Sequence, residues 1–340
     1  MSKPVSGEHL ERLPLAMPVR QWRRAANLAK VLRLRAHPGR NTIERSTVRY
    51  PKLFVVGCGR SGTSWTQGII SHEPSVISTQ ESHAYEVVYG NVAARRRRNV
   101  AAWTKVLHRH DIAQREARWV GLHWWIDRAG LCDLIGAAMA APDDRDSGDV
   151  AEDVIEAIFD GYFFANGGTG QHTLLEKTPG HLDVAGLILR RYPEAKVVEV
   201  LRDGRDVCVS MQMQALTMRW PPRERAAQIR AWMRAVRSGM ELRADPKLAR
   251  RVHLVRYEDL KADPFREIER LYAFCGFTAK ALDVEEIVER SDFRHHRQTG
   301  DGRHTRRGEV GDWRNHFSAE DETLFRSMVG DLFEEAGYRY

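Results

Sequence analysis

The chain reads as an α/β protein: one domain with a central parallel sheet flanked by helices. Three observations predict this. Strand-sized apolar runs alternate with longer helical stretches, the pattern of a sheet covered on both faces. The first of those runs ends in a glycine-rich turn that opens a helix, "VVGCGRSGTSW" from Val55 to Trp65. With 340 residues, 42% of them apolar, the chain can bury one large core.

The elements follow in order. Residues 1–50 are basic, and "RQWRRAANLAKVLRLRAH" within them has the spacing of an amphipathic helix. It is expected to pack on the main domain at 51–340, a membrane surface being the alternative. "KLFVV" is a buried strand, and a helix from about Gly62 to Ser71 ends before Pro74. From Asn91 to Gly170 regularity falls, apart from the helical "VAEDVIEAIFDGYFF". Three further strands are predicted in "HTLLEK", "KVVEVLRD" and "VHLVRYEDL". Helices precede the last two: "LDVAGLILRRY", then "GRDVCVSMQMQAL" and "RERAAQIRAWMRAVRSGMELR". "DPFREIERLYAFCGF" carries its own boundaries: Asp263 as cap, Pro264 in the first turn, Phe265, Ile268 and Leu271 on one side, Gly276 as stop.

Charge and cysteines narrow the class. Lys plus Arg number 53 against 46 Asp plus Glu, a net +7. That suits an anionic small molecule, nucleic acid or an acidic membrane. The apolar runs fall short of the roughly 18 residues a membrane span needs, "LIGAAMAA" being cut by Pro142. Cys58, Cys132, Cys208 and Cys275 form no C-x-x-C pair. With no secretory signal in the polar N-terminal segment, a reduced, cytoplasmic protein without structural zinc is expected.

The glycine-rich turn has the context of a phosphate-binding loop, strand before and helix after, which makes the predicted fold P-loop-type. Gly57 and Gly62 match G-x-x-x-x-G-K-[ST], but Thr63 stands where the triphosphate-binding lysine belongs, and the loop's cation is Arg60. Consecutive amides at a helix start bind an oxyanion; Ser61, Thr63 and Ser64 add hydroxyls. The missing lysine, and the want of an acidic ligand before Asp203, argue against a magnesium triphosphate. "LRDGRDVCVS" sets Arg202 at a strand end and Ser210 in the following helix, in reach of a second phosphate. "RQTGDGRHTRRGEVGDWRNHF" has two aromatics that a mobile surface loop would not need, and reads as an ordered lid closing Arg306 and Arg307 over an anion.

Taken in order, "GRSGTSW", "RDGRDVCVS", "RYEDL" before "DPFREIERLYAFCGF", and "RRGEVGDWRNHF" resemble the sulfotransferases that use 3′-phosphoadenosine-5′-phosphosulfate (PAPS). The resemblance covers about Lys52 to Phe317. It implies an enzyme moving a sulfuryl group in line from PAPS to a hydroxyl or amine, with adenosine 3′,5′-bisphosphate (PAP) released and no metal. It implies that Arg60 to Ser64 hold the 5′-phosphosulfate, with Arg60 stabilising charge on the departing bridging oxygen. Arg202, Ser210, Arg306, Arg307 and Gly308 would hold the 3′-phosphate, and Trp65 and Tyr257 would contact adenine.

The general base is left open by the residues. Cytosolic members carry histidine in "KTH"; this chain has "EKTPGH", with His181 two residues further on. "EKTP" is similar to heparan sulfotransferases, whose lysine assists the transition state, and so implicates Lys177. The tyrosyl-protein branch places its catalytic glutamate 21 residues after the loop arginine, a position held here by Glu81. Glu81 is the preferred base, with His181 and then His83 as alternatives. Trp103, Trp119, Trp124 and Trp125 are read as core before acceptor cleft, and Arg95 to Arg98 as a solvated face. The acceptor is left as a small molecule, lipid or carbohydrate, with no nucleic acid and no stated oligomeric state. The competing readings are a P-loop kinase or NTPase, a nucleic-acid-binding module and a non-catalytic PAPS-binding protein.

Overall fold

A computed structural model describes residues 49–78, 80–93, 100–116, 120–141, 145–278, 281–291 and 308–340. The basic segment at 1–48, Arg95 to Arg98, Trp119, Arg306 and Arg307 lie outside the described residues.

Five parallel strands form the sheet: β1 (Lys52–Gly57), β2 (Val76–Ser78), β3 (Thr173–Lys177), β4 (Lys196–Leu201) and β5 (Val252–Arg256), in the order β2-β3-β1-β4-β5. Every residue of β1 and β3 is buried, as a sheet covered on both faces requires. The pleat divides β1 between two cores. Phe54 and Val56 join Phe159, Ile158 and Trp125 on one side. Leu53 and Val55 join Ile69, Ile268 and Leu271 on the other.

The first core is covered by α2 (Val100–Arg115), α3 (Arg128–Met139) and α4 (Ser147–Ala165); α5 (Ala185–Arg191) also packs into it. Among its described residues, the stretch read as irregular holds α2 and α3 beside the predicted α4. Its polar and aromatic residues blur helical periodicity, whereas Asp127 caps α3 by accepting from the Gly130 amide at 2.7 Å. The opposite face carries α1 (Thr63–Ile70) and, from the far end of the sheet, α9 (Pro264–Cys275) and α10 (Ala281–Ser291). A third cluster joins α6 (Gly204–Gln214) and α7 (Arg225–Ala244) to α11 (Ala319–Val329) and α12 (Leu332–Glu335) through Trp232, Phe325 and Phe333.

Two local expectations need correction. "YEDL" does not continue the last strand: Tyr257–Ala262 forms α8, as Arg256 ends the ladder with β4. On α9, Asp263 caps and Gly276 stops the helix in the left-handed conformation, but Phe265 is 47% exposed and does not share the buried side of Ile268 and Leu271.

Strand order places the chemistry. β1 lies between β3 and β4, and the chain crosses from one side of β1 to the other in passing from β3 to β4. Ligands of open α/β sheets bind beyond the carboxyl ends of strands at such a switch. Three neighbouring strands here deliver Lys177 at the end of β3, the glycine-rich loop after β1, and Arg202 after β4.

Candidate active site

The loop is held by backbone geometry that its glycines permit. Gly57 has φ 152° and Gly62 φ 103°, and a Cβ on Gly62 would sit 2.5 Å from the Tyr257 ring. A Cβ on Gly57 would strike the Val200 carbonyl of the neighbouring strand. Arg60 is left-handed at φ 76° without being glycine, a strained conformation of the sort that clusters at functional sites. Side chains cap α3, α4 and α6, through Asp127, Asp146 and Asp203, whereas α1, like α5 and α7, has no side-chain cap.

The second cation joins this loop. Arg60 Nε donates to Ser210 Oγ on α6 at 3.1 Å. Arg202 is 8% exposed, lies 4.2 Å over the Tyr257 ring and donates to the Glu309 carbonyl at 2.9 Å. Tyr257 donates its hydroxyl to the Gly308 carbonyl at 2.6 Å and meets Trp65 edge-on, 5.5 Å between ring centres. The lid residues from Gly308 onward are therefore ordered against Arg202 and Tyr257. Their anchor is Asp206, which accepts from the Gly311 amide at 2.8 Å and the Trp313 amide at 2.9 Å. Asp206 was missed in the sequence, although "RDGRD" spaces it one helical turn from Arg202. Trp313 is buried under Arg205, 4.0 Å away.

On the other side of the loop, β3 ends in Lys177, 3% exposed, whose Nζ donates to Ser64 Oγ at 3.1 Å and to Glu81 Oε1. Burial pushes the Glu81 carboxyl up, but the Lys177 charge and the His83 hydrogen bond outweigh it and hold it down at about 2. His83 Nε2 lies 3.1 Å from Glu81 Oε2, and its Nδ1 lies 2.8 Å from Glu86 Oε2. Burial lowers the His83 ring's basicity; its two carboxylate partners more than reverse this and raise it to about 10. Neither partner of the Lys177–Glu81 pair was visible as a pair in the sequence, since 96 residues separate them.

His181 is placed differently. It is fully buried, its Nδ1 lies 3.0 Å from Glu176 Oε2, and its Nε2 accepts from the Tyr85 amide at 3.4 Å. Glu176, also fully buried, takes further hydrogen bonds from the Ser82 amide and hydroxyl and the Thr178 hydroxyl. Burial raises this carboxyl; His181, Thr178 and Ser82 together bring it below its ordinary value. Trp103 and Trp125 belong to the core, Trp125 donating its indole N–H to the Gln80 carbonyl at 2.9 Å.

The donor set can be tested against the molecule the sequence motifs imply. Among the described residues, Ser61 Oγ in the loop and Arg202 Nε after β4 are buried without a hydrogen-bond partner. Buried donors normally find acceptors. One cation and one hydroxyl at each of two adjacent strand ends fit a ligand with two separate anionic groups, as PAPS has.

The α/β fold is P-loop-type, and at its switch point Arg60 of the loop is joined to Ser210 beside a second buried cation, Arg202. A profile described as the sulfotransferase family matches residues 51–280, and the chain belongs to that family. Among related sequences, nodulation protein NoeE of Sinorhizobium fredii (strain NBRC 101917 / NGR234) is 23% identical over 306 residues, 84% of this chain and 65% of NoeE. Human sulfotransferase 2A1 is 26% identical over 172 residues, 42% of this chain and 59% of that protein. The matched stretches thus span less than two thirds of either relative. The fold is similar to the crystal structure of mouse sulfotransferase SULT7A1 complexed with PAP, with TM-score 0.50 and 14% identity, covering 92% of this chain and 88% of that one. It is also similar to the sulfotransferase domain from the Synechococcus PCC 7002 olefin synthase, with TM-score 0.50 and 17% identity over 86% of this chain and 98% of that domain.

Proposed function

We propose that the protein transfers a sulfuryl group from PAPS to a hydroxyl, or an amine, of a small-molecule, lipid or carbohydrate acceptor by in-line displacement, releasing PAP. The observation that carries this reading is the junction of the two cationic pockets, where Arg60 of the loop meets Ser210 of α6. The loop amides with Ser61, Gly62, Thr63 and Ser64 cradle the 5′-phosphosulfate. Ser210 and Arg202, with Arg306, Arg307 and Gly308 of the lid, take the 3′-phosphate, while Trp65 and Tyr257 border the adenine. Arg60 and Lys177 then stand on the phosphate loop, Lys177 through Ser64, where charge develops on the bridging and sulfuryl oxygens.

Glu81 is the base in this reading. Its side chain is 17% exposed and reaches Lys177, whereas both ring nitrogens of His181 are committed in the core. A carboxyl held at about 2 is ionised but weakly basic. Once Lys177 turns to the sulfuryl oxygens, Glu81 loses its strongest counter-charge and becomes more basic as the acceptor hydroxyl approaches. The four unpaired cysteines suit a reducing, cytoplasmic setting, and no helix among the described residues is long and apolar enough to cross a membrane.

The test is turnover of [35S]PAPS with a panel of phenol, sterol and sugar acceptors, with water as the default. PAP should form without added magnesium and sulfate should appear on an acceptor. PAPS left intact, with ATP hydrolysed or used as a phosphoryl donor in magnesium, would favour the kinase reading. Tight PAP binding without turnover would favour the non-catalytic one.

A further inference from the structure

The segment after β2 has two uncommon backbone features. His83 is left-handed at φ 52°, and a π-helical turn (Tyr85–Tyr89) follows. Both are uncommon in chains without a functional constraint. The bend is fixed from outside: the His83 amide donates to Thr178 Oγ1 at 3.2 Å, one residue after Lys177. It brings three ionisable side chains into one line, Glu81 Oε2 to His83 Nε2 at 3.1 Å and His83 Nδ1 to Glu86 Oε2 at 2.8 Å. Side-chain exposure rises along the line, from 17% at Glu81 through 28% at His83 to 44% at Glu86. The far end is packed as well, since a Cβ on Gly180 would collide with Glu86 Oε1.

We propose that His83 and Glu86 are positioning residues for Glu81: Glu86 fixes the imidazole, and the imidazole aims the Glu81 carboxylate at the acceptor. The inference rests on the reading of Glu81 as base. Its logic is that of a base oriented by a third group. With Lys177 on Oε1, His83 is the partner of Oε2. When Lys177 moves to the donor, His83 alone holds the carboxyl in register, leaving Oε1 to accept the acceptor proton. The titratable groups around the line are Lys177 beside Glu81, and Glu176 and His181 near Glu86 at the end of β3.

The signs of the pH effects follow. The two carboxylates hold His83 protonated, so Glu86→Gln lowers its pKa and moves the alkaline limb of turnover to lower pH. His83 helps hold Glu81 ionised, so His83→Asn moves the acid limb to higher pH. Each limb should move by about one to three pH units, the effect of losing an adjacent opposite charge. The experiment measures pH profiles of [35S]PAPS turnover, with 4-nitrophenol as probe acceptor and water otherwise, for the full-length wild type, Glu86→Gln, Glu86→Asp and His83→Asn. Calorimetry with PAP checks each variant's donor site, and NMR of 13C-labelled histidine follows ring titration.

Expected are unchanged PAP affinity and unchanged KM for PAPS, kcat about tenfold lower or more in Glu86→Gln and His83→Asn, and partial recovery in Glu86→Asp. Variants that bind PAP and show wild-type kcat and unmoved limbs would overturn the proposal. The wild-type ring provides a check that needs no variant: titration at the ordinary value of 6.5 would equally overturn it, whether or not turnover is seen. If Glu81→Gln keeps full turnover, the base assignment itself has failed, which the ring titration would not report.

Discussion

The two halves of the site are built by different means. In the proposed reading the phosphosulfate loop is local in sequence: loop, Ser64 and Trp65 are consecutive, and two glycines fit because any side chain would strike Val200 or Tyr257, while Ser210 joins Arg60 from 150 residues away. The base half is assembled over long separations, with Glu81 on Lys177, Ser82 on Glu176 and His83 on Thr178, each pair more than ninety residues apart. A strand–loop–helix motif fixes where an anion sits. A base has only to arrive there, and any chain path that delivers a carboxylate will serve. Donor recognition should therefore break when the backbone or its cations are altered, and chemistry should break separately.

The largest separation is expected at Glu81→Gln and Arg60→Ala. Each should lower kcat by about 10²–10⁴-fold, the range for a lost general base or charge-stabilising donor. PAP affinity should hold in Glu81→Gln. Pre-steady-state PAPS turnover measures this, and a parallel loss of PAP binding in Glu81→Gln would merge the halves that the comparison keeps apart. Next comes Arg202→Ala, which removes a buried cation from the 3′-phosphate pocket and should weaken PAP by about 2–5 kcal/mol in calorimetry. Gly62→Ala should cost about 1–3 kcal/mol of stability through its φ of 103°, read by thermal unfolding, with PAP binding impaired as Tyr257 is displaced.

The smallest effect concerns pH. The depressed Glu81 carboxyl contributes stability that is present above its ordinary value of 4.5 and is lost as pH falls through about 2. Lys177→Met removes the main opposing charge, so its acid-unfolding midpoint should move to higher pH. His83, raised to about 10, contributes below 6.5 and loses that contribution as pH rises through about 10; His83→Asn should therefore be relatively less destabilised at high pH than at neutral pH.

The same contrast explains what was legible in the sequence. The sheet was readable because β1, β3 and β4 are short apolar runs buried on both faces. The glycine-rich loop was readable because a strand–loop–helix turn is contiguous. The aromatics of "GDWRNHF" signalled order, but their anchor, Asp206, was not singled out in "LRDGRDVCVS". The segment before α4 was opaque: α2 mixes tryptophan, histidine and arginine, so no apolar stripe stands out, and α3 shows only as the apolar run "LIGAAMAA". Glu81 could be reached by counting from Arg60, yet nothing local distinguishes it from a surface carboxylate. Glu86 carried no signal at all. His181 drew attention as the histidine nearest "EKT"; its role follows from Glu176, a buried strand carboxylate whose hydrogen bonds it helps to complete.

The most direct measurement is a three-way calorimetric titration with PAP, without magnesium, of the wild type, Arg202→Ala and Glu81→Gln, each paired with its PAPS turnover rate. The expected result is equal PAP affinity in the wild type and Glu81→Gln, weakened affinity in Arg202→Ala, and turnover lost in Glu81→Gln. A wild type that ignores PAP but binds ATP with magnesium would contradict the account at its root. A Glu81→Gln variant that turns over PAPS like the wild type would contradict the division between a donor half and a base half.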